Sequence, residues 1–147
     1  MRILGLDLGT RTLGLALSDE TETIASFYGT LRFLDGDFLD AINQLRDIVL
    51  KENVSSFVLG LPKNMNNSLG DAAERSFKFK KMLEDTFNME VFMQDERLTT
   101  VLATSYLLEA DMSRKKRKAK VDGLSAVLIL QTFLDRKRWY YGRKNDI

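Results

Sequence analysis

The chain has 147 residues, of which 44% are hydrophobic and 29% are charged, a composition typical of a globular domain with a buried core. It contains no cysteine and no histidine, which excludes disulfides, thiolate nucleophiles, zinc sites built on Cys or His, and any Ser-His-Asp triad. Catalysis would have to use carboxylates, Lys, Tyr, Ser, Thr or a cofactor. A bound metal would have to prefer oxygen ligands, as Mg²⁺, Mn²⁺ and Ca²⁺ do. We expect one domain over residues 1–147.

The net charge of +1 hides an uneven distribution along the chain. Residues 113–147 hold eleven Lys and Arg against three Asp, whereas residues 1–112 hold eleven basic and eighteen acidic residues. The basic end indicates either a phosphate-binding element or an ordinary solvated tail. No apolar run approaches the ~18 residues of a membrane span, and Met1 leads directly into a predicted strand without a signal peptide. We therefore expect a cytoplasmic protein with no membrane partner.

Three strands are predicted at the N-terminus, over residues 2–8, 12–18 and about 24–33. The first is apolar on both faces apart from Asp7, which is typical of a central strand. Its alternation places Asp7 and Gly5 on one face, opposite the leucines on either side of them. Short turns join the three segments, so we expect an antiparallel meander.

Helical and short apolar segments alternate in the rest of the chain. The remaining predicted elements are a helix over 37–51, a strand over 55–61, a helix over about 70–87, a strand over 90–93, a helix from 99 or 100 to about 110, and a helix over about 122–137. This order predicts an α/β fold with a mixed five-stranded sheet. The first three strands would be antiparallel, the later ones parallel, and helices would cover both faces.

Three carboxylates stand at the edges of predicted buried elements: Asp7, Glu96 and Asp122. Each has an ordinary explanation. Asp7 could bond to amides of the following turn, Glu96 lies in a common surface triplet, and Asp122 could cap a helix. Taken together they indicate a metal site, because clustered carboxylates repel one another and a divalent cation stabilises them. Two such ions ~4 Å apart can activate water for phosphodiester hydrolysis. Sequence spacing alone does not show that the three carboxylates meet.

A strongly basic run precedes Asp122. It contains six basic residues within residues 114–120: Arg114, Lys115, Lys116, Arg117, Lys118 and Lys120. A packed core does not accept such a run, so it is either a solvated linker or a contact for nucleic-acid phosphates. Its position next to a candidate metal ligand favours the phosphate contact.

The segment from Asp7 to Thr10, followed by Gly14, also resembles the phosphate-binding hairpin of sugar kinases, actin and Hsp70-type ATPases. Those proteins bind ATP in a cleft between two domains of this topology. A chain of 147 residues is too short to build that cleft, so an ATP-binding function is disfavoured.

Four motifs in order resemble the YqgF (RuvX) family, small bacterial proteins of RNase H-like fold to which Holliday-junction resolution and pre-16S rRNA cleavage are ascribed. They are GLDLGT at residues 5–10 with Gly14, GLP at residues 60–62 with Asn64-Met65, DERLTT at residues 95–100, and KVD at residues 120–122 with Ser125-Ala126. The resemblance covers nearly the whole chain. It departs from the family at Asn66-Asn67, where Asp-Gly is usual, and this puts any role of that acid in doubt.

The resemblance implies a single RNase H-like nuclease domain in which Asp7, Glu96 and Asp122 bind Mg²⁺ or Mn²⁺, two ions in all. It implies an endonuclease that cleaves nucleic acid, with RNA favoured over DNA as the substrate. The specific reaction it implies is processing of the 5′ end of precursor 16S rRNA. Arg97 and the 114–120 run would hold the substrate backbone, and a ribosome precursor would be the partner. The alternatives are a Holliday-junction resolvase and a non-catalytic module that binds nucleic acid or the ribosome.

Overall fold

The protein is described by a computed structural model over residues 1–62, 70–95 and 123–137. Its strands are β1 (Arg2–Leu8), β2 (Thr12–Ser18), β3 (Ala25–Arg32), β4 (Val54–Leu61) and β5 (Val91–Asp95), and its helices are α1 (Phe38–Lys51), α2 (Asp71–Phe87) and α3, which covers residues 123–137. The predicted helix near residues 99–110 lies outside the described residues. Within the described ranges, no helix is both long and apolar enough to cross a membrane.

The five strands form one sheet in the order β3-β2-β1-β4-β5. The strands β1, β2 and β3 pair antiparallel through short connections, whereas β4 and β5 add parallel on the other side of β1. Consecutive strands that run parallel need a long crossover, which contains α1 from β3 to β4 and α2 from β4 to β5. The predicted mixed sheet is confirmed.

The alternation of β1 divides the interior into two cores, one on each face of the sheet. Leu4 and Leu6 face the larger core, where α1 and α2 pack. Ile3 faces the smaller core, where α3 packs. The helices α1 and α2 contribute mainly Phe38, Ile42, Leu45, Phe79 and Leu83 to the larger core. The smaller core contains Ala16, Ala25 and Val58 from the sheet and Ala126, Ile129, Leu130 and Leu134 from α3. Helices thus cover both faces, as predicted.

The helix α3 approaches the central strand very closely, and Gly5 makes this approach possible. A Cβ on Gly5 would lie 2.7 Å from the Cβ of Leu130 and 3.2 Å from the carbonyl oxygen of Ala126. Both neighbours belong to the rigid part of the helix, so they cannot move aside as the tip of a flexible side chain could. The backbone of β1 therefore packs directly against α3 at this point.

The far end of α3 is tied to the loop between β2 and β3. The Ala25 N–H donates to the side-chain oxygen of Gln131 at 2.8 Å, and the Gln131 amide donates to the Thr23 carbonyl at 3.0 Å. Lys137 donates to Glu22 at 3.3 Å. These contacts fix the direction of α3, which runs from the Asp7 end of β1 toward the start of the strand.

The strand β5 is longer than the sequence predicted. It continues through Asp95, because Gly60 and Leu61 of β4 pair with Gln94 and Asp95. The predicted strand ended at Met93, since polar residues follow it and resemble a loop. Pairing with a neighbouring strand overrides that local preference.

Replacement of Gly5 by Ala should destabilise the fold, because the new methyl group would overlap α3. We expect a loss of about 1–3 kcal/mol in the free energy of unfolding, measured by urea denaturation. The matched control is Gly29→Ala on β3, where a Cβ would meet nothing within 4 Å, and its effect should stay within about 0.5 kcal/mol. Equal effects of the two variants would contradict the close packing of α3.

A pH-dependent prediction concerns Asp19, whose carboxylate accepts hydrogen bonds from the Ile24 N–H, the Thr21 hydroxyl and the Thr23 N–H. These bonds lower the pKa of Asp19 from 3.8 to about 2, the Ile24 bond most. A lowered pKa in the folded state stabilises the protein above about pH 4, and this contribution disappears as the pH falls toward about 2. Asp19→Asn should therefore unfold more easily than the wild type at pH 6, with the difference in melting temperature shrinking below pH 4. A constant difference would contradict this assignment.

Candidate active site

Asp7 lies near the end of the central strand β1 and is partly buried. It shares the α3 face of the sheet with Gly5, since the two residues are two positions apart on one strand. The parallel strands β4 and β5 run in the same direction as β1 and end at the same edge. In open α/β sheets, binding sites collect at this edge.

Asp7 stands between two glycines in the neighbouring strands. Gly14 of β2 lies directly opposite Asp7. On the other side Leu6 pairs with Leu59, so the next residue along places Gly60 beside Asp7. Neither glycine has a side chain, and the sheet on both sides of the carboxylate therefore carries no β-carbon. No side chain of these two strands therefore stands directly beside the Asp7 carboxylate at this level of the sheet.

The next position in the same row is occupied by Gln94 of β5, which pairs with Gly60. Its Cα lies about 10 Å from that of Asp7, the width of two strand spacings. Gln94 is only 6% exposed, and its side-chain amide donates to the Asp95 carbonyl at 3.4 Å. Sequence reasoning missed Gln94. The sequence does contain one indication: Gln94 lies two residues before Glu96, and residues two apart share a face of an extended strand.

The neighbouring Asp95 differs from Gln94 in the face it occupies. Val91 and Met93 of β5 belong to the core beneath α1 and α2, and Asp95 follows them with the same alternation. The ring of Phe92 instead packs against Phe133 of α3, with ring centroids 5.0 Å apart. Even-numbered residues of β5 thus face Asp7, and Asp95 does not.

The turn after Asp7 is held by backbone hydrogen bonds. The Gly9 N–H donates to the Thr12 carbonyl at 2.8 Å. The carbonyls of Thr10 and Arg11 accept from the loop between β3 and α1, whose N–H groups lie 2.9 and 3.0 Å away. The Arg11 guanidinium is 4.0 Å from Asp35 of the same loop. The turn is therefore a fixed part of the edge on which Asp7 lies.

Of the three predicted carboxylates, the structure describes Asp7 alone, and Asp7 and Asp95 both have interaction partners. Glu96 and Asp122 lie outside the described residues, so their meeting with Asp7 stays a prediction. The predicted nucleic-acid contacts also lie outside: Arg97, Arg114, Lys115, Lys116, Arg117, Lys118 and Lys120. Within the ranges that the structure covers, no three acidic side chains form a group able to hold a metal ion.

Comparison with known proteins identifies relatives along nearly the whole chain. A family model described as "RuvX: Holliday junction resolvase" matches residues 1–136. A protein of Geobacillus sp. is 46% identical over 138 residues, which is 94% of this chain and 100% of that protein. A protein of Staphylococcus aureus is 50% identical over 135 residues, 91% of this chain and 95% of that protein. Both carry the name "Putative pre-16S rRNA nuclease".

A solved structure supports the same fold at much lower identity. The Fowlpox virus resolvase in complex with Holliday junction DNA matches with a TM-score of 0.58 and 12% identity, over 92% of this chain and 98% of that one. At this identity the match shows the fold alone. The predicted RNase H-like architecture is confirmed.

Proposed function

The chain belongs to the RuvX family, and we propose on this basis that it is a metal-dependent endonuclease that processes the 5′ end of precursor 16S rRNA. The names of relatives at 46% and 50% identity support this substrate. Cleavage of Holliday junctions is the second candidate, favoured by the description of the family model. A non-catalytic module that binds nucleic acid or the ribosome is the third.

The proposal rests mainly on the residues that flank Asp7 in the sheet. A carboxylate on a sheet face, flanked by glycines on both neighbouring strands, can accept a bulky, highly charged ligand at close range. A β-carbon at either flanking position would crowd the carboxylate and hinder such a ligand. The phosphodiester of a nucleic acid, together with cations that offset its charge, is a ligand of that kind.

The chemistry of the donor set fits Mg²⁺ or Mn²⁺. Asp7 would share the site with Glu96 and Asp122, giving oxygen ligands only, in a chain without His or Cys. If the alternation of β5 continues one step, Glu96 faces the same side as Gln94 and Asp7. Asp122 directly precedes Gly123, the first described residue of α3, in the sequence. Two bound cations would offset phosphate charge and activate water for attack on phosphorus.

The residues of the chain itself would orient the substrate. Asp7 lies on the central strand of the sheet, which is paired on both sides and so holds the carboxylate in place. Arg97 and the 114–120 run would hold the nucleic-acid backbone, since guanidinium and ammonium groups neutralise phosphates without reading the base sequence. These contacts would set affinity, and the carboxylates would set the rate of cleavage.

The test compares wild type and Asp7→Asn on labelled precursor 16S rRNA and on branched DNA. We expect cleavage of the rRNA with Mn²⁺ or Mg²⁺, little with Ca²⁺ because of its longer and looser coordination, and none with EDTA. Asp7→Asn should lower the rate by about two orders of magnitude or more, the scale on which loss of one electrostatic contact acts. The matched control is Asp47→Asn, an exposed residue of α1 on the opposite face.

The outcomes separate the candidates. Cleavage of branched DNA alone would support the resolvase, and metal-dependent binding without cleavage would support the binding module. Equal rates with EDTA and Mn²⁺ would exclude the mechanism. In metal-free buffer the free energy of unfolding of Asp7→Asn should be within about 1 kcal/mol of the wild-type value or slightly higher, because the substitution relieves carboxylate repulsion. A clear destabilisation would favour a structural role for Asp7.

Gln94→Met removes the buried carboxamide from the row of Asp7 while keeping the length of the side chain. If Gln94 orients the groups around the carboxylates, the cleavage rate at saturating substrate should fall about 10-fold or more, as for other supports of metal ligands. The control Gln131→Met loses the bonds to the loop between β2 and β3 at the far end of α3. It should lower the melting temperature and keep the cleavage rate. If both variants changed rate and stability in parallel, Gln94 would be structural only.

A further inference from the structure

The face of the sheet that carries Asp7 continues onto β3, the strand at one edge. Three side chains of β3 occupy this face: Phe27, Thr30 and Arg32. Thr30 pairs with Gly14, the residue opposite Asp7, and Arg32 pairs with Thr12, two positions further. Residues paired across a sheet share a face, so these side chains lie on the Asp7 side.

A β-bulge brings Phe27 to that face. Along β3, Gly29 pairs with Leu15 while Phe27 pairs with Ala16, so Tyr28 is an extra residue between two consecutive pairs. Without the bulge, strict alternation would turn Phe27 toward the core beneath α1 and α2. With it, Phe27 follows Ala16, which faces α3. Bulges commonly redirect a side chain near a functional site in this way.

Phe27 is an exposed aromatic side chain held next to the candidate site. It is 57% exposed. The inner edge of its ring lies against Gly123 of α3, where an added Cβ would be 2.6 Å from the ring. The contact fixes the ring on one side and leaves the rest of it open to solvent. Gly123 directly follows the candidate metal ligand Asp122 in the sequence.

Arg32 supplies positive charge on the same surface. It is exposed at the end of β3, and its guanidinium makes no ion pair within the described ranges. Its backbone carbonyl accepts from the Gln44 amide at 3.0 Å, and this bond leaves the guanidinium unoccupied. By strand spacing its Cα is about 12 Å from that of Asp7, which suits a phosphate near the cleaved one. Of the two acids in the adjacent loop, Asp35 lies against Arg11 and Asp37 caps α1 by accepting from the Asp40 N–H.

We propose that the β3 surface, formed by Phe27, Thr30 and Arg32, binds an unpaired nucleic-acid strand next to the cleavage site. A base would stack on the ring of Phe27, and Arg32 would contact the backbone phosphate. The proposal rests on the nuclease function proposed above and adds the substrate class: a strand that is single at this position. An aromatic ring and a nearby cation are the usual elements of single-strand binding. A base within a duplex is already stacked on both sides and cannot use the ring.

The test measures the Kd of a labelled 12-nucleotide RNA and of the same RNA in a perfect duplex, in EDTA so that nothing is cleaved. Phe27→Leu keeps an apolar side chain against Gly123 and removes the aromatic face. It should weaken single-strand binding about fivefold or more and leave duplex binding unchanged, whereas Phe27→Trp should retain it. Arg32→Gln should lower the slope of log Kd against log salt by about 0.7, the value for one phosphate on a single strand. A DNA strand should respond equally, because neither contact reads the 2′-hydroxyl.

Matched controls lie on the opposite face of the sheet. Phe77→Leu changes a ring of α2 that is 43% exposed, and Arg46→Gln changes an exposed arginine of α1. Both should bind as the wild type does. If Phe27→Leu behaved like Phe77→Leu while the wild type still cleaved rRNA, the β3 surface would be refuted and the nuclease function would stand. A wild type that cleaved rRNA with Mn²⁺ but bound no single strand in EDTA would likewise refute the β3 surface, whereas the absence of rRNA cleavage with Mn²⁺ would overturn the nuclease function itself.

Discussion

The direct packing of α3 on the backbone of Gly5 is the contact on which the rest of the site depends. It brings a helix to the one face of β1 that α1 and α2 leave open, and it sets the height at which that helix crosses the sheet. One step further along the strand, Asp7 lies just beyond the apolar core that this contact creates. A larger residue at position 5 would lift α3, and with it whatever precedes Gly123, away from the carboxylate.

Much of this arrangement could be predicted from the sequence, because β1 carries a strict alternation. A strand that is apolar on both faces must be central, and a single acid in it must lie on one definite face. The antiparallel start and the parallel continuation followed from connection lengths. The position of Asp7 at the edge where β4 and β5 also end followed from topology.

What could not be predicted depends on pairing between strands. The end of β5 was placed too early, because Gln94 and Asp95 look like a loop until β4 is known to pair with them. For the same reason Gln94 went unnoticed as a buried polar group. The bulge at Tyr28 is also invisible locally, since it is defined by two consecutive partners on β2. Without it, Phe27 counts as an ordinary core residue. These features belong to the register of the sheet, and a single sequence does not contain it.

The separation of the two cores affects the order in which parts of the chain fold during synthesis. Among the described residues, the core beneath α1 and α2 closes with residues no later than Met93, whereas the other face needs α3, whose Gln131 bonds to a residue 106 positions earlier. Synthesis proceeds from the N-terminus, so a nascent chain folds one side of the sheet first and leaves Ile3, Ala16 and Val58 uncovered. Asp7 gains its helical neighbour only when the last part of the chain has emerged. An unfinished chain still attached to the ribosome thus lacks one wall of the proposed site.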